Sequence, residues 1–426
     1  MAQLLTRIPK GTRDVLPDEV YKWDYIESVI RSVCRDFNYR EIRTPVFEHT
    51  ELFERGVGDA TDIVQKEMYT FEDKGGRSIT LRPEGTSPVV RALLQNSLYA
   101  GALPVKLFYY NLSCYRYEQP QAGRLREFHQ FGVEQFGAGS AAADAEIIMI
   151  GYETFRRFGL ADTLTLRLNS IGCPKCRKTY REKLVAYLEG HKAELCPTCQ
   201  ERMYRNPMRV FDCKSEICQG IAKAAPFVTD NLCDDCAAHF AALQESLKAL
   251  SIPFVVDPTI VRGLDYYRGT VFEFVTSTIG AQGTVCGGGR YDGLIEELGG
   301  DPLSGIGFGL GLERLLLTLE AAGFKFPAPA PVTIYLGAAS DDGVVDVFLT
   351  KLASELRAAG ISVERDLMGR SVKAQMKYAD KLGARYAAII GPDELAKGAV
   401  QVRDMQGEGG FELALDNFAA KLKECL

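Results

Sequence analysis

Residues 105–137 read VKLFYYNLSCYRYEQPQAGRLREFHQFGVEQFG, two runs rich in aromatic and β-branched residues on either side of a segment of turn-forming residues. Such runs are typical of strands. The preceding runs IRTPVFE and MYTFEDKGGRSITLRPE have the same character, and EDKGGR in the second indicates a hairpin turn. Because hairpins outnumber strand–helix–strand units here, we predict an antiparallel sheet with helices on one face, which is an α+β architecture.

Helices and further strands extend this pattern in both directions along the chain. Apolar residues recur at helical spacing from Asp18 to about Phe37, and a second helix is expected from about Asp144 to Phe158. The runs TLTLRLN and IPFVVDP and the end of VRGLDYYRGTVFEF (Val261–Phe274) predict strands. After them, CGGGRYDGL and GIGFGLGLERLLLTLEAAG indicate a glycine-rich turn that opens into a helix.

We predict three domains, because a chain of 426 residues is too long for one ordinary core. Short helices and cysteine pairs in segment 172–250 interrupt the sheet domain, which then takes residues 1–171 and 251–326. The Pro/Ala-rich run FPAPAPVT follows as a linker. From residue 332 to 426 strands alternate with helices up to the strand YAAIIG, the strand GAVQVRD follows it as the next element, and a helix ends the chain. This alternation predicts a small doubly wound α/β domain.

The charge balance limits the possible partners. With 50 Lys and Arg against 56 Asp and Glu, the net charge of −6 excludes a surface that is basic throughout, but it permits a local basic stripe. Lys373, Lys377 and Lys381 fall on one face of a predicted helix, just after Arg370. This face is either solvated or in contact with phosphate.

No apolar run approaches the ~20 residues of a membrane span. The first residues, MAQLLTRIPKGTRDVLP, carry Arg, Lys and Asp where a signal peptide has an apolar core. We therefore expect a cytoplasmic protein.

Eight of the twelve cysteines form pairs within one short segment. A C-x-x-C pair followed by another is a strong signal for a tetrathiolate zinc site, whereas a redox dithiol and unliganded buried thiols are the weaker alternatives. We expect one or two structural zinc ions, which would supply much of the folding energy of a segment with few large apolar residues. Either the first two pairs and the last two pairs join, or the outer pairs meet where the segment enters and leaves the sheet domain. The pairs are Cys173 with Cys176, Cys196 with Cys199, Cys213 with Cys218, and Cys233 with Cys236.

If this chain binds a nucleotide, groups other than a glycine-rich phosphate loop must hold the phosphates. The chain has no G-x-x-x-x-G-K-[ST] loop, and Gly307–Gly311 lacks the G-x-G-x-x-G spacing. Arg116, Arg124, Arg262 and Arg314 instead lie in aromatic or glycine-rich surroundings. A surface salt bridge would explain any single one of them. Together they favour phosphoryl or nucleotidyl chemistry, because a guanidinium keeps its charge and makes bidentate contacts with phosphate.

Six stretches of the chain, together with a seventh at its N-terminus, resemble one family. TPVFEHTELF, YRYEQPQAGRLREFHQFGVEQFG and GIGFGLGLERLLL resemble the three signature motifs of class II aminoacyl-tRNA synthetases. TLRPEGT, VRGLDYYRGTVFEF and CGGGRYDGL resemble the histidine-specific elements of the histidyl-tRNA synthetases, and KGTRDVLP is similar to their N-terminal motif. The resemblance extends from Lys10 into the C-terminal α/β domain, apart from the cysteine-rich segment.

The resemblance implies a histidine–tRNA ligase, which joins L-histidine to ATP as histidyl-adenylate, releases pyrophosphate and transfers histidine to its tRNA. It also implies a homodimer, Mg²⁺, a class II catalytic domain and a C-terminal anticodon-binding domain. Arg262 would bridge the histidine carboxylate and the α-phosphate, and Arg116 would hold the same phosphate. Arg314 would lie against adenine and the γ-phosphate, with Arg124 also in the ATP site.

The same resemblance implies a histidine pocket. Residues with carboxylate, hydroxyl or amide groups would bind the ammonium group and the imidazole ring, and neighbouring residues would shape the pocket. The ammonium would contact Glu84, Thr86 and Gln130, the ring would contact Tyr267 and Glu134, and Tyr266 and Gly85 would form the walls.

The alternative function is that of a synthetase-like regulatory subunit of ATP phosphoribosyltransferase in histidine biosynthesis. Such a protein would be expected to lack the C-terminal α/β domain and Arg262, and this chain has both. A zinc-dependent nucleic-acid-binding module would explain the cysteines but not the arginines. A synthetase for another amino acid is the remaining rival.

Overall fold

The structure is a computed structural model with two compact units, Met1–Pro327 and Ala328–Leu426. No helix in the part of the chain that it describes is both long and apolar enough to cross a membrane. The description covers residues 5–58, 61–121, 123–211, 213–261, 264, 266–278, 283–407 and 409–426.

The first unit contains α-helices, strands and short turns of 3₁₀ or π helix. The helices are α1 Pro17–Asp36, α2 Thr50–Val57, α3 Thr86–Gln95, α4 Ala141–Arg157, α5 Pro174–Gly190, α6 Pro197–Arg205, α7 Glu216–Lys223, α8 Asp234–Ala249, α9 Leu294–Glu297 and α10 Leu312–Ala321. The strands are β1 Arg40–Glu41, β2 Phe47–His49, β3 Tyr69–Glu72, β4 Ser78–Leu81, β5 Val105–Tyr115, β6 Glu127–Phe136, β7 Thr165–Ser170, β8 Phe254–Val256, β9 Thr270–Val275, β10 Thr284–Arg290 and β11 Gly305–Gly311. The short turns are Ile63–Glu67, Leu98–Ala100, Ala161–Thr163, Lys192–Glu194, Pro207–Val210 and Val228–Asn231.

Eight of these strands form one sheet in the order β1-β5-β6-β11-β10-β9-β7-β8. The six central strands are antiparallel, whereas β1 and β8 pair in parallel at the two edges, so the predicted antiparallel sheet is confirmed. The hairpin around EDKGGR is confirmed as well, since β3 and β4 pair and belong to a small sheet of order β2-β4-β3.

The predicted glycine-rich turn is wrong, because CGGG and GIGFGLG form the neighbouring strands β10 and β11. Glycine is required there by close packing rather than by a turn. A Cβ atom on Gly288 would lie 2.1 Å from the carbonyl oxygen of Gly307, and one on Gly307 would lie 2.0 Å from Oε2 of Glu134. Sequence alone does not distinguish a glycine that turns the chain from one that admits a neighbour.

Helices α1, α4, α8 and α10 pack against one face of the large sheet. Side chains such as Ile30, Ile147, Leu243 and Leu315 share an apolar core with inward-facing strand residues such as Phe272. Since successive side chains of a strand point to opposite faces, the alternate residues of the same strands remain for the other face. That face carries the candidate site.

The cysteine-rich segment buries more apolar surface than its composition indicates. Residues including Tyr180, Leu188, Met203 and Val210 are buried in a cluster that continues toward Tyr267. The segment therefore buries its apolar residues in a core that it shares with the sheet domain. Helix α8, at the end of the segment predicted as an insertion, packs against α4 within the core of the sheet.

The second unit is an α/β sheet of order β13-β12-β14-β15-β16. The parallel neighbours β13, β12 and β14 confirm the doubly wound pattern, and the antiparallel β15 and β16 extend it. The predicted helix after GAVQVRD is preceded by a strand that sequence analysis missed. The elements are β12 Ile334–Ala338, α11 Gly343–Ala358, β13 Val363–Arg365, α12 Val372–Lys381, β14 Tyr386–Ile390, α13 Pro392–Lys397, β15 Ala399–Asp404, β16 Gly409–Ala414 and α14 Phe418–Glu424.

Candidate active site

A cleft of about 1040 Å³ opens on the face of the large sheet opposite its four helices. Arg262 lies outside the described residues, so its predicted role is carried by the sequence alone. Gly85 and Glu134 belong to the structure beneath the cleft. Predicted site residues that line the cleft are Glu84, Thr86, Arg116, Arg124, Gln130, Tyr266, Tyr267 and Arg314.

Two arginines are held at the cleft by contacts with backbone and aromatic groups, and a third, Arg124, pairs with Glu118. Arg116 follows β5, where its Nε donates to the carbonyl of Pro83 at 2.8 Å and its guanidinium lies 5.5 Å from the ring centre of Phe128. Arg314 on α10 donates from Nη1 to the carbonyl of Thr284 at 2.5 Å. Burial, with the nearby charge of Arg124, lowers the pKa of Arg314. Cations kept this close make the cleft attractive to a polyanion.

The carboxylate of Glu84 lies at the N-terminus of α3. Its Oε2 accepts from the backbone N–H of Thr86 at 2.6 Å, and its Oε1 accepts from the N–H of Ser87 at 2.8 Å. These bonds satisfy donors that a helix start leaves unpaired, and they fix the carboxylate before any ligand arrives. Each oxygen keeps a second lone pair for a cation in the cleft.

The carboxyl group of Glu134 is fully buried in β6, surrounded by three hydroxyl groups. Tyr291 donates at 2.5 Å, Thr86 at 2.8 Å and Tyr109 at 3.4 Å. Hydrogen bonds of this kind favour the ionised form, but burial disfavours it more strongly and raises the pKa of Glu134 to about 8. At neutral pH the carboxyl group is therefore mostly protonated and can donate a hydrogen bond.

Tyrosines form the wall beside this carboxyl group. The rings of Tyr266 and Tyr267 lie 4.7 Å apart, and Tyr266 meets Tyr291 edge to face at 5.8 Å. Burial raises the pKa of Tyr266 well above its usual range, so its phenol stays neutral. The resulting wall is rigid and apolar, with hydroxyl groups at defined positions.

Comparison with known protein families gives one match in each of the two units. Residues 11–315 match the sequence model of the family described as Histidyl-tRNA synthetase, and residues 336–425 match the one described as Anticodon binding domain. The chain belongs to the histidyl-tRNA synthetase family.

Relatives of similar length extend this result over the whole chain. The Histidine--tRNA ligase of Acetivibrio thermocellus is 55% identical over 420 residues, which is 99% of this chain and 100% of the relative. That of Caldanaerobacter subterraneus subsp. tengcongensis is 54% identical with the same coverage. The solved structure of apo S. aureus histidyl-tRNA synthetase is 38% identical with a TM-score of 0.84, over 98% of this chain and 100% of that one. The expected class II fold is thereby confirmed.

Sequence analysis missed several polar groups at this synthetase site. The hydroxyl groups of Tyr109 and Tyr291 contact Glu134. Both tyrosines lie within stretches discussed above, VKLFYYNLSCYRYE and CGGGRYDGL, but neither was predicted as a site residue. Glu313 lines the cleft and accepts from the backbone N–H of His129 at 3.1 Å. Aromatic positions in a strand predict packing, and only the fold shows which hydroxyl group meets a carboxyl group.

Arg82, which sequence analysis also missed, connects two of the motif stretches. Its guanidinium is buried and donates to the carbonyls of Thr44 at 2.8 Å, Pro45 at 2.9 Å and Ser113 at 2.7 Å. It thereby fixes the run TPVFE against β5. The sequence signal that could have identified Arg82 is its position within the stretch TLRPEGT.

The eight paired cysteines converge in two separate groups. The interpretation that joins the first two pairs and the last two pairs is wrong, because the first and last pairs meet where the segment enters and leaves the sheet. We call Cys173, Cys176, Cys233 and Cys236 the outer cluster, and Cys196, Cys199, Cys213 and Cys218 the inner cluster.

Proposed function

We propose that this chain is a histidine–tRNA ligase that forms histidyl-adenylate from L-histidine and ATP and then transfers histidine to the 3' end of its tRNA. The observation that carries the proposal is the buried carboxyl group of Glu134 next to a cleft lined with arginines. One part of the cleft suits a small polar heterocycle, and the other suits a triphosphate.

In the adenylation step, the histidine carboxylate attacks the α-phosphorus of ATP and pyrophosphate leaves. Negative charge grows on the α-phosphoryl oxygens as this bond forms, so cations fixed there lower the barrier. We assign Arg116 and Arg262 to the α-phosphate, and Arg314 with Arg124 to the rest of the nucleotide. The backbone contacts of Arg116 and Arg314 support this assignment, because a guanidinium held in place needs little reorganisation.

For histidine itself, we assign the ammonium group to Glu84, Thr86 and Gln130, and the imidazole ring to Glu134 and Tyr267. A protonated Glu134 can donate to one ring nitrogen, which would hold imidazole in one tautomer. An amino acid without such nitrogens would leave buried polar groups unpaired and would be rejected strongly. The walls of the pocket are assigned to Tyr266 and Gly85. A Cβ atom on Gly85 would lie 2.5 Å from the ring of Tyr109.

Mg²⁺ fits this cleft without a dedicated cage. The ion usually binds through one or two carboxylates together with substrate phosphates and water. Glu67, Glu118, Glu273 and Glu313 line the cleft and offer carboxylates beside the arginines. When bound, the ion would neutralise part of the phosphate charge.

The remaining parts of the proposal concern partners and location. We propose that unit Ala328–Leu426 binds the anticodon arm of a histidine tRNA, that the chain forms a homodimer, and that it acts in the cytoplasm. We also propose the domain limits 1–171 with 251–326, 172–250 and 332–426. Structural zinc in the cysteine-rich segment would take no part in adenylation, because sulfur would fill every coordination position.

ATP–pyrophosphate exchange measured with each of the twenty amino acids separately tests the proposed function. Histidine alone should support exchange. Exchange with a different amino acid would identify a synthetase of another specificity. No exchange with any amino acid would favour the regulatory-subunit alternative.

A further inference from the structure

The sulfur atoms of both clusters lie at the spacing of a single tetrahedral metal ion. Zinc–sulfur bonds of about 2.3 Å place neighbouring sulfurs roughly 3.8 Å apart in a tetrahedron. In the outer cluster, Cys173 Sγ lies 3.6 Å from Cys176 Sγ and 3.9 Å from Cys233 Sγ. In the inner cluster, Cys196 Sγ lies 3.7 Å from Cys213 Sγ. Within each cluster all four sulfurs lie within 4.8 Å of one another.

These distances argue against the other uses of cysteine. A disulfide needs sulfurs about 2.05 Å apart, and every cysteine of the two clusters is free. An iron–sulfur cluster lies between its cysteines and would hold them farther apart than one ion does. A single ion with four thiolate ligands remains, and for a tetrahedral set of sulfurs zinc is the usual ion.

The backbone around both clusters favours thiolates. The N–H of Cys233 donates to Cys176 Sγ at 3.0 Å, and the N–H of Cys196 donates to Cys218 Sγ at 3.3 Å. Three of the cysteines are the N-cap residues of helices with nine or more residues, where the positive end of the helix dipole stabilises an anion. These residues are Cys173 on α5, Cys196 on α6 and Cys233 on α8.

The outer cluster lies next to residues 267–269, which begin at Tyr267 of the proposed histidine pocket. Gly172, just before it, has a φ of +67°, and a Cβ atom there would lie 2.7 Å from the Cβ of Cys176. The backbone N–H of Gly269 donates to the carbonyl of Gly172 at 3.1 Å. Arg177, one residue after Cys176, donates from Nη1 to the carbonyl of Tyr267 at 3.2 Å.

The elements around the inner cluster also contact the surroundings of Tyr267. It holds together α6, the turn Pro207–Val210 and α7, and the side chains of Met208 and Arg209 line a small cavity with Tyr267. Cys199 and Cys218 share one apolar cluster with Tyr266 and Tyr267. Only the outer cluster, however, fixes the first turn of α5 and therefore the direction of Arg177.

We propose that this chain binds two separate zinc ions, one in each cluster, and that the outer ion positions Tyr267 through Arg177. The first part is independent of the function assigned above. The second part rests on the proposed role of Tyr267 in binding histidine. Arg177 is a positioning residue here, since it contacts the carbonyl of Tyr267.

Metal counting on the full chain, purified without chelator, tests the first part. Elemental analysis and native mass spectrometry should give two zinc ions per chain. Cys233→Ser and Cys213→Ser should each retain one ion, whereas Cys425→Ser, a change at an exposed cysteine outside both clusters, should retain two. Protein reconstituted with Co²⁺ should show the absorption of tetrahedral thiolate coordination.

Several results would overturn two independent zinc sites. Eight freely reacting thiols in a metal-free native protein would do so, as would iron in place of zinc. A single ion that is lost in both cysteine variants would also contradict the proposal.

Histidine kinetics test the second part, with a variant that leaves every cysteine in place. Arg177→Met should keep both ions and raise the KM for histidine about ten- to a hundredfold, while the KM for ATP changes little. Lys178→Met, an exposed neighbour on the same helix, is the matched control and should match wild type. Equal increases in both KM values, or an unchanged KM for histidine, would overturn the positioning role.

Failure of the two proposals can be told apart. A wild-type chain that binds two zinc ions but shows no histidine-dependent exchange would contradict the proposed function and leave the metal sites intact. A chain with normal histidine-dependent exchange and no bound metal would contradict the metal sites and leave the proposed function intact.

Discussion

The floor of the cleft, which is formed by β6 and β11, and the cysteine-rich segment are held in place in opposite ways. On and beside the floor, the chain itself supplies partners for the key polar groups: hydroxyl groups surround Glu134, and backbone N–H groups bind Glu84. In the segment, four sulfurs come together in each of two places, and backbone N–H groups of the described residues donate to sulfurs such as those of Cys176 and Cys218.

This difference has a physical consequence. A buried carboxyl group or guanidinium is expensive without hydrogen bonds, so the floor must be complete in the folded chain itself. Clustered thiols gain order chiefly when they release their protons to solvent and bind a metal ion as thiolates. We therefore expect the cleft floor to tolerate metal removal and the segment to depend on it.

The largest expected effect comes from removing a cation of the cleft. Arg116→Ala should lower the rate of ATP–pyrophosphate exchange about a hundred- to a thousandfold and leave the zinc content at wild-type level, because it removes fixed charge from the reacting phosphate. Arg262→His should have an effect of the same order. The matched control is Arg77→Ala, an exposed arginine of the β3–β4 turn bound to Asp73. Near-normal exchange in folded Arg116→Ala would remove this residue from the site.

A smaller effect is expected at Glu134, where pH provides a second readout. Glu134→Gln should raise the KM for histidine about tenfold. The reason is that both oxygens of Glu134 accept from hydroxyl groups and the amide has only one oxygen, so roughly one hydrogen bond is lost.

The same substitution should change the pH dependence of stability. From pH 4.5, the ordinary pKa of the group, to about 8, native Glu134 keeps a proton that the unfolded chain has released, so its contribution to stability falls as pH rises. The Gln variant lacks this loss. Denaturant unfolding should therefore show Glu134→Gln gaining stability relative to wild type across this window. A constant difference between the two proteins would contradict the raised pKa.

The smallest effect on ATP–pyrophosphate exchange is expected from changes in the basic stripe of the second unit. Lys373, Lys377 and Lys381 are exposed on α12, whereas Arg370 is bound to Asp366 at 2.6 Å. Replacing the three lysines by Gln should leave ATP–pyrophosphate exchange unchanged. If all three contact phosphate, tRNA binding should weaken and its salt slope should fall by roughly two to three units. An unchanged slope would indicate an ordinary solvated face.

Sequence patterns predicted the parts of this protein that depend on periodicity. Helix α1 was expected from Asp18 to about Phe37 and runs from Pro17 to Asp36, because its buried positions recur at helical spacing. The eight clustered cysteines were equally visible. Their pairing was not, since it depends on how β7 and α8 bring two distant helix starts together.

Long-range contacts account for the errors. The glycines of β10 and β11 resembled a turn because the neighbours that exclude a side chain, such as Glu134, are distant in sequence. Strand β16 was missed because its two glycines and Glu412 have low strand propensity, and pairing with β15 outweighs that preference. The hydroxyl groups around Glu134 were missed for the same reason, because Thr86, Tyr109 and Tyr291 come from three separate parts of the chain.

Hydrogen–deuterium exchange of the wild-type chain before and after zinc removal tests the contrast between the two regions most directly. Exchange should become faster in α5, α6 and α7 and in residues 266–269, which connect the outer cluster to the histidine pocket. Exchange in β6 and β11, which form the floor, should stay the same. Unchanged protection of α5 to α7, or equally faster exchange in β6 and β11, would contradict the account.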